Sequence, residues 1–119
     1  MSDLRVNSIA GADGTSPATL VKQSAAKAWA NINQSSFGVR DSFNISSVTD
    51  VSSGQADFNV ATDFTNSNYS LTYGTRHTSV SHDAISPTSS SVYRQFHATS
   101  AGTNVDAEWM MNSAHGDLA

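Results

Sequence analysis

Apolar and polar residues alternate in short runs from Lys27 onward. Val39, Phe43 and Ile45 share one parity, with Asp41 as the exception. Ala56, Phe58 and Val60 share another, with Asp57 and Asn59 between them. Side chains of a strand point to opposite faces in turn, so this period of two predicts half-buried β-strands. The linker Thr49–Gly54 carries the Asp, Ser and Gly of a tight turn, which makes the centre of the chain a β-meander.

Further strands follow. Tyr69, Leu71 and Tyr73 alternate with Ser70 and Thr72, and Gly74 closes or bulges the run. Thr75–Ile85 reads as one irregular strand and 86–90 as a loop. Ser91–Ala98 places Val92 and Phe96 on one face and Tyr93, Gln95 and His97 on the other. In the last run, Asn104–Asn112, Val105, Ala107, Trp109 and Met111 oppose Asp106, Glu108 and Met110. Six or seven short strands without a long helix predict an all-β protein, an antiparallel sandwich or barrel. Ser91–Ala98 carries bulky groups on both faces, so the face with Tyr93 and His97 is expected to bind a ligand or a second chain.

Residues 1–26 read differently. Leu4, Val6 and Ile9 precede a Gly-Ala-Asp-Gly-Thr-Ser-Pro loop, and Gln23–Ala28 is rich in helix formers. Residues 1–17 are too polar to pack on themselves, so we read 1–26 as an extended docking or oligomerisation arm, with Leu4, Val6 and Ile9 as its contacts. Residues 27–119 form the sandwich domain.

Composition narrows the function classes. Only 13% of the 119 residues are charged, against roughly 25% in ordinary soluble domains. The net charge is −4 and the six Lys and Arg are dispersed, which removes the basic stripe that nucleic acid requires. The absence of cysteine removes disulfides, thiolate metal sites and Cys nucleophiles. No apolar run approaches the roughly 18 residues of a membrane helix, and the N-terminus lacks the pattern of a signal peptide.

Candidate chemistry is sparse. Asp106 and Glu108, two apart on one strand, face the same way as a glycosidase pair would, or as a solvated strand face does. His77 and His82, five apart, fall on opposite faces of a regular strand, which is poor geometry for a shared metal even beside Asp83. No nucleophile elbow and no phosphate-cradling loop is present. We therefore expect no catalytic residue, no metal and no cofactor. The sequons at Asn44 and Asn68 are expected to serve strand edge and turn. The candidate ligand contacts are Tyr73, Arg76, His77, Tyr93 and His97, aromatic and polar groups of the kind that stack on and hydrogen-bond to sugars.

Lys27-Ala28-Trp29, Arg40, Ser42-Phe43-Asn44-Ile45-Ser46-Ser47-Val48-Thr49-Asp50, Gly54, the run from Phe58 to Phe64, Asn68-Tyr69 and the closing 100–107 stretch occur in a particular order and spacing. In these features residues 27–112 resemble a domain of tail-fibre and other virion proteins of tailed bacteriophages. The resemblance implies a small, jelly-roll or lectin-like β-sandwich that is exposed on the virion, forms a homotrimer and takes part in attachment to host surface glycan. Fibre proteins carry this domain behind a long shaft, whereas here only a short arm precedes it. The arm then docks on other phage structural proteins, at the tail or on the major capsid protein. In the second case the protein decorates and stabilises the head.

Overall fold

The computed structural model describes residues 25–77 and 81–118, all-β and without helix among them. The expected arm contacts Leu4, Val6 and Ile9 lie outside the described residues. Eight strands form: β1 (Ala28–Asn33), β2 (Gly38–Phe43), β3 (Ile45–Ser52), β4 (Gln55–Val60), β5 (Ser70–Arg76), β6 (Ser81–Pro87), β7 (Val92–Thr99) and β8 (Trp109–His115). The first sheet has the order β2-β1-β8-β5 and the second β3-β4-β7-β6, with every pair antiparallel. Packed face to face, they make the expected β-sandwich.

The core joins small residues of one sheet to large residues of the other. Ala28, Ala30, Ile32, Met110 and Ala114 face inward from the first sheet, and Ala56, Phe58, Val60 and Tyr93 from the second. The alanines leave room for the rings of Phe58 and Tyr93, stacked with centroids 5.2 Å apart. Each large side chain so buried contributes roughly 1.5–3 kcal/mol. Phe64 and Tyr69, from the crossing between β4 and β5, close one end as a second stacked pair at 4.1 Å. The Tyr69 ring meets Tyr93 edge-on at 6.4 Å.

Two runs that look continuous in sequence are cut by changes of sheet. Val39, Phe43 and Ile45 do not share a strand. Asn44 sits between β2 and β3 at φ +56° and carries the chain from the first sheet to the second. Asparagine tolerates this left-handed conformation better than most residues. Its amide donates to the carbonyls of Lys27 (3.0 Å) and Thr62 (3.2 Å), and its oxygen accepts from the Thr62 N–H at 2.8 Å. Phe43 thus ends on the outside of the first sheet while Ile45 packs against the core. Likewise Thr75–Ile85 is not one strand. β5 runs through Gly74 to Arg76, and β6 starts at Ser81 in the other sheet and reaches Pro87, inside the stretch expected as a loop.

The last strand also differs. β8 begins at Trp109, so Asp106 and Glu108 belong to the crossing that precedes it. Its inward residues are Met110, Asn112 and Ala114, and Trp109 and Met111 face out, the reverse of the expected assignment. The period of two was carried back through the crossing, where Ala107 is buried by a different route: its N–H donates to Gln34 Oε1 at 3.2 Å and its carbonyl accepts from Gln34 N–H at 3.0 Å.

Tyr69 gives the core a titratable edge. Its hydroxyl lies 2.8 and 2.9 Å from the carbonyls of Ser89 and Val92, and burial raises its pKa from 10.0 to about 12. Burial, and then the neighbouring Tyr69, push Tyr93 up as well. Both phenols keep their protons in the fold beyond the pH at which the unfolded chain releases them. Stability is therefore complete below pH 10 and falls as pH rises through 10 toward 12, by up to about 1.4 kcal/mol per pH unit for each tyrosine. In urea unfolding at stepped pH, Tyr69→Phe should cost about 1 kcal/mol at pH 7. It should also flatten the alkaline decline.

Candidate functional site

Three surfaces and one interior row hold the polar and aromatic groups from which a site can be built. The interior row lies on β7. Tyr93, Gln95 and His97 point toward the first sheet and are wholly buried. The Tyr93 hydroxyl donates to Asn112 Oδ1 at 2.5 Å, and the Asn112 amide donates to Gln95 Oε1 at 3.0 Å. Gln95 Nε2 reaches the carbonyl of Met111 at 3.3 Å. Farther along, His97 Nδ1 lies 2.6 Å from Asp83 Oδ1, and the Thr75 hydroxyl donates to Asp83 Oδ2 at 2.5 Å. The face expected to meet a ligand or another chain is therefore the seam between the two sheets. Tyr93 and His97 have no exposed surface, and the Tyr93 hydroxyl and His97 Nδ1 are engaged by β8 and β6.

The other sequence candidates divide. Tyr73 stands at the open edge of the sandwich, half-exposed, and donates to the backbone carbonyl of Asp83 at 3.1 Å. The His77 ring lies beside that of His97, with centroids 5.2 Å apart. So Tyr73 and His97 meet at Asp83, through its backbone carbonyl and its carboxylate, with His77 beside His97. Tyr93 does not join them, and Arg76 points to the outer face. His97 Nε2 is buried and has no hydrogen-bond partner among the described residues. The Thr75 hydroxyl is held by Asp83 and not by His97, so among the described residues it does not complete the order Asp–His–hydroxyl of a nucleophilic relay. Among the described residues no group of three or more His, Asp or Glu is arranged to hold a metal. Asp106 is occupied structurally: its carboxylate accepts from the Gly54 N–H at 2.9 Å. Gly54, at φ +72°, passes so close to β7 that a Cβ would stand 2.2 Å from the His97 carbonyl oxygen.

The outer face of the second sheet is closed by its own bonds. Asn59 Nδ2 is within 3.3 Å of the Ser47 carbonyl, the Ser47 hydroxyl and the Thr49 hydroxyl. Arg94 makes a two-pronged pair with Asp57 at 2.6 and 2.8 Å. Val92 and Phe96 of β7 share this face and are half-buried.

The outer face of the first sheet is its opposite. The register sets Phe43, Trp29, Ser113 and Thr72 in one row across all four strands, and Asp41, Asn31, Met111 and Gly74 in the next. Trp109 and Arg76 pair in a third. Arg40, thrown out by a bulge in β2, donates to the Ile32 carbonyl at 2.8 Å and lays its guanidinium 3.7 Å from the centre of the Trp109 ring. Phe43 is 54% exposed and Met111 36%. Gly74 leaves a shallow hollow beside Met111, walled by Thr72 and Ser113. In the same row as Met111, the side-chain Oδ1 of Asn31 is buried without a partner among the described residues. Both tryptophans of the protein lie on this one face. Neither tryptophan is among the ligand contacts expected from the sequence. The signal available was the parity of Trp29, which opposes the small residues Ala28 and Ala30.

No family model, no curated protein and no solved structure matches the chain.

Asp83→Ala leaves His97 Nδ1 and the Thr75 hydroxyl without their acceptor and should destabilise the protein by about 1–3 kcal/mol. Asp57→Ala removes a pair on the solvent side and should cost less than about 1 kcal/mol. Urea midpoints of the two variants measured together check the contrast.

Proposed function

We propose that the protein is a structural component of a tailed-phage virion, a homotrimer resembling a fibre tip, and that it takes part in attachment to host surface glycan. One observation carries the reading: the two outer faces differ. The second sheet bonds Asn59 and the Asp57–Arg94 pair internally beside a half-buried Phe96, whereas the first leaves Phe43 and Met111 exposed beside Trp29, Trp109 and two arginines. A face of this composition suits a protein partner, because interface cores are rich in aromatic residues, Met and Arg. A second copy of the chain is the partner assigned here, in keeping with the resemblance carried by Lys27–Asp50 and Gly54–Ala107. Glycan contact falls to the surfaces that such packing leaves open.

The strand assigned to the trimer contact changes with the fold. From pattern alone the Tyr93 face is expected to meet either a ligand or a second chain. With its inner face in the seam, the contact moves to β1, β2 and β8. The mechanism is then one of avidity. Identical sites held on one rigid assembly make each later contact intramolecular, so weak binding to a single sugar suffices for firm attachment.

Sedimentation velocity should give three times the 12.5 kDa chain mass. Phe43→Ser with Met111→Ser should give folded monomers, since neither side chain belongs to the core. A monomeric wild type would contradict the assembly. Antibody labelling of intact virions should mark the tail. Label spread over the head would instead assign the protein to capsid decoration.

A further inference from the structure

We infer that Phe43 of one copy seats in the hollow over Gly74 of the next, with β2 packed against β5 around a three-fold axis. This rests on the homotrimer proposed above, names the contact that builds it and brings β5 into the interface.

Gly74 is where the observations start. A glycine inside a strand costs backbone entropy and has no side chain to pack. It usually marks a bulge, a special backbone conformation or a close approach by another group. None of these is found among the described residues. The pairing of β5 with β8 runs unbroken through Gly74. Its backbone is not left-handed, unlike that of Gly54 and Gly102. A Cβ there would meet only Met111 Cε, at 4.0 Å. The space over Gly74 is then left for a group from outside. The hollow measures about 240 Å³, between Thr72, Met111 and Ser113. That is below the roughly 300–1,000 Å³ of small-molecule sites and suits one side chain.

Phe43 matches it in place and in chemistry. At 54% it is the most exposed of the large hydrophobic side chains. It stands on the same outer face at the opposite edge, since the strand order β2-β1-β8-β5 puts three strand spacings, roughly 14 Å, between the two. A copy cannot fill its own hollow. The Met111 thioether supplies a flexible, polarisable wall of the kind that favours an aromatic edge.

The flanking charges agree. Asp41 lies one row beyond Phe43, and Arg76 one row beyond Gly74, in the same direction across the sheet. Both are exposed, and neither forms a salt bridge among the described residues. With Phe43 in the hollow, Asp41 of one copy comes level with Arg76 of the next and fixes the register. Each copy gives its knob at one edge and receives another at the other edge. Such a head-to-tail contact closes into a ring.

Sedimentation of the full chain tests the contact. Gly74→Leu fills a space that the single copy leaves open, so its circular dichroism should match the wild type. The concentration at which the trimer dissociates should rise about thirtyfold or more, and likewise in Phe43→Ala. Mixed in equal amounts at high concentration, these two variants should form dimers of one copy each. The knob of the first meets the hollow of the second, and the ring cannot continue. Arg76→Asp should weaken the trimer, and Asp41→Arg added to the same chain should restore it. A Gly74→Leu variant that stays trimeric, a mixture that stays monomeric or a charge swap that fails to rescue would overturn the inference. If the wild type is a trimer in those cases, only this contact falls and the assembly stands. A monomeric or dimeric wild type overturns the homotrimer and this contact with it.

Discussion

The seam of hydrogen bonds along the inner face of β7 is the constraint on which the rest of the structure depends. An all-apolar interior joins two sheets without fixing how they slide. Here Tyr93 and Gln95 meet Asn112 on the facing strand, and His97 is tied through Asp83 to Thr75. Each bond is short and directional, and buried polar groups left unpaired are costly. One relative position of the sheets satisfies them, so the seam sets the register between layers as well as holding them together. Gly54 and Asp106 extend the same logic to the loops, because the 52–55 turn is pinned against both β7 and the 100–108 crossing.

That use of the interior explains the character of the exterior. With small residues on β1 and β8 facing Phe58 and Tyr93, the first sheet has its bulk left for the other side. Trp29, Trp109 and Met111 are there because the parity that buries Ala28, Ala30, Met110 and Ala114 sends them outward. Arg40 on Trp109 covers part of this surface and leaves Phe43 and Met111 bare. The second sheet buries Phe58 and Tyr93 and carries Arg94, Asp57 and Asn59 with a half-buried Phe96 outside. The sandwich thus has one outer face bonded across its strands and one that leaves Phe43 and Met111 exposed. At its end, the stacked pair of Phe64 and Tyr69 closes the core.

The sequence made much of the fold legible. Ala56, Phe58 and Val60 alternate cleanly because β4 is central in its sheet and has one wet face. β7 was located with the correct parity, but its two faces were exchanged. Gln95 and His97 look like solvent-side residues until their partners on β6 and β8 are seen, and those partners are distant in sequence. The corner at Asn44 was hidden because a single left-handed residue changes sheets without the usual Gly or Pro. The register of β8 was inverted because Asn112, a polar residue, lies inside it. Of the residues expected to bind ligand, Tyr73 and Arg76 reach the surface, and His77 lies against the buried His97. The hollow at Gly74 had no local signature, since 72–74 and 111–113 meet only in the folded chain.

The fluorescence of Trp29 and Trp109 tests the central claim most directly, because both tryptophans lie on the outer face of the first sheet and nowhere else. If that face is covered by other copies of the chain, acrylamide should quench the emission weakly at high protein concentration. Quenching should then rise, with a red shift, on dilution through the dissociation range and in the Phe43→Ser, Met111→Ser variant at all concentrations. Strong quenching of the wild type that does not change with concentration would mean the face stays open to water, and the account of it as a subunit contact would be wrong.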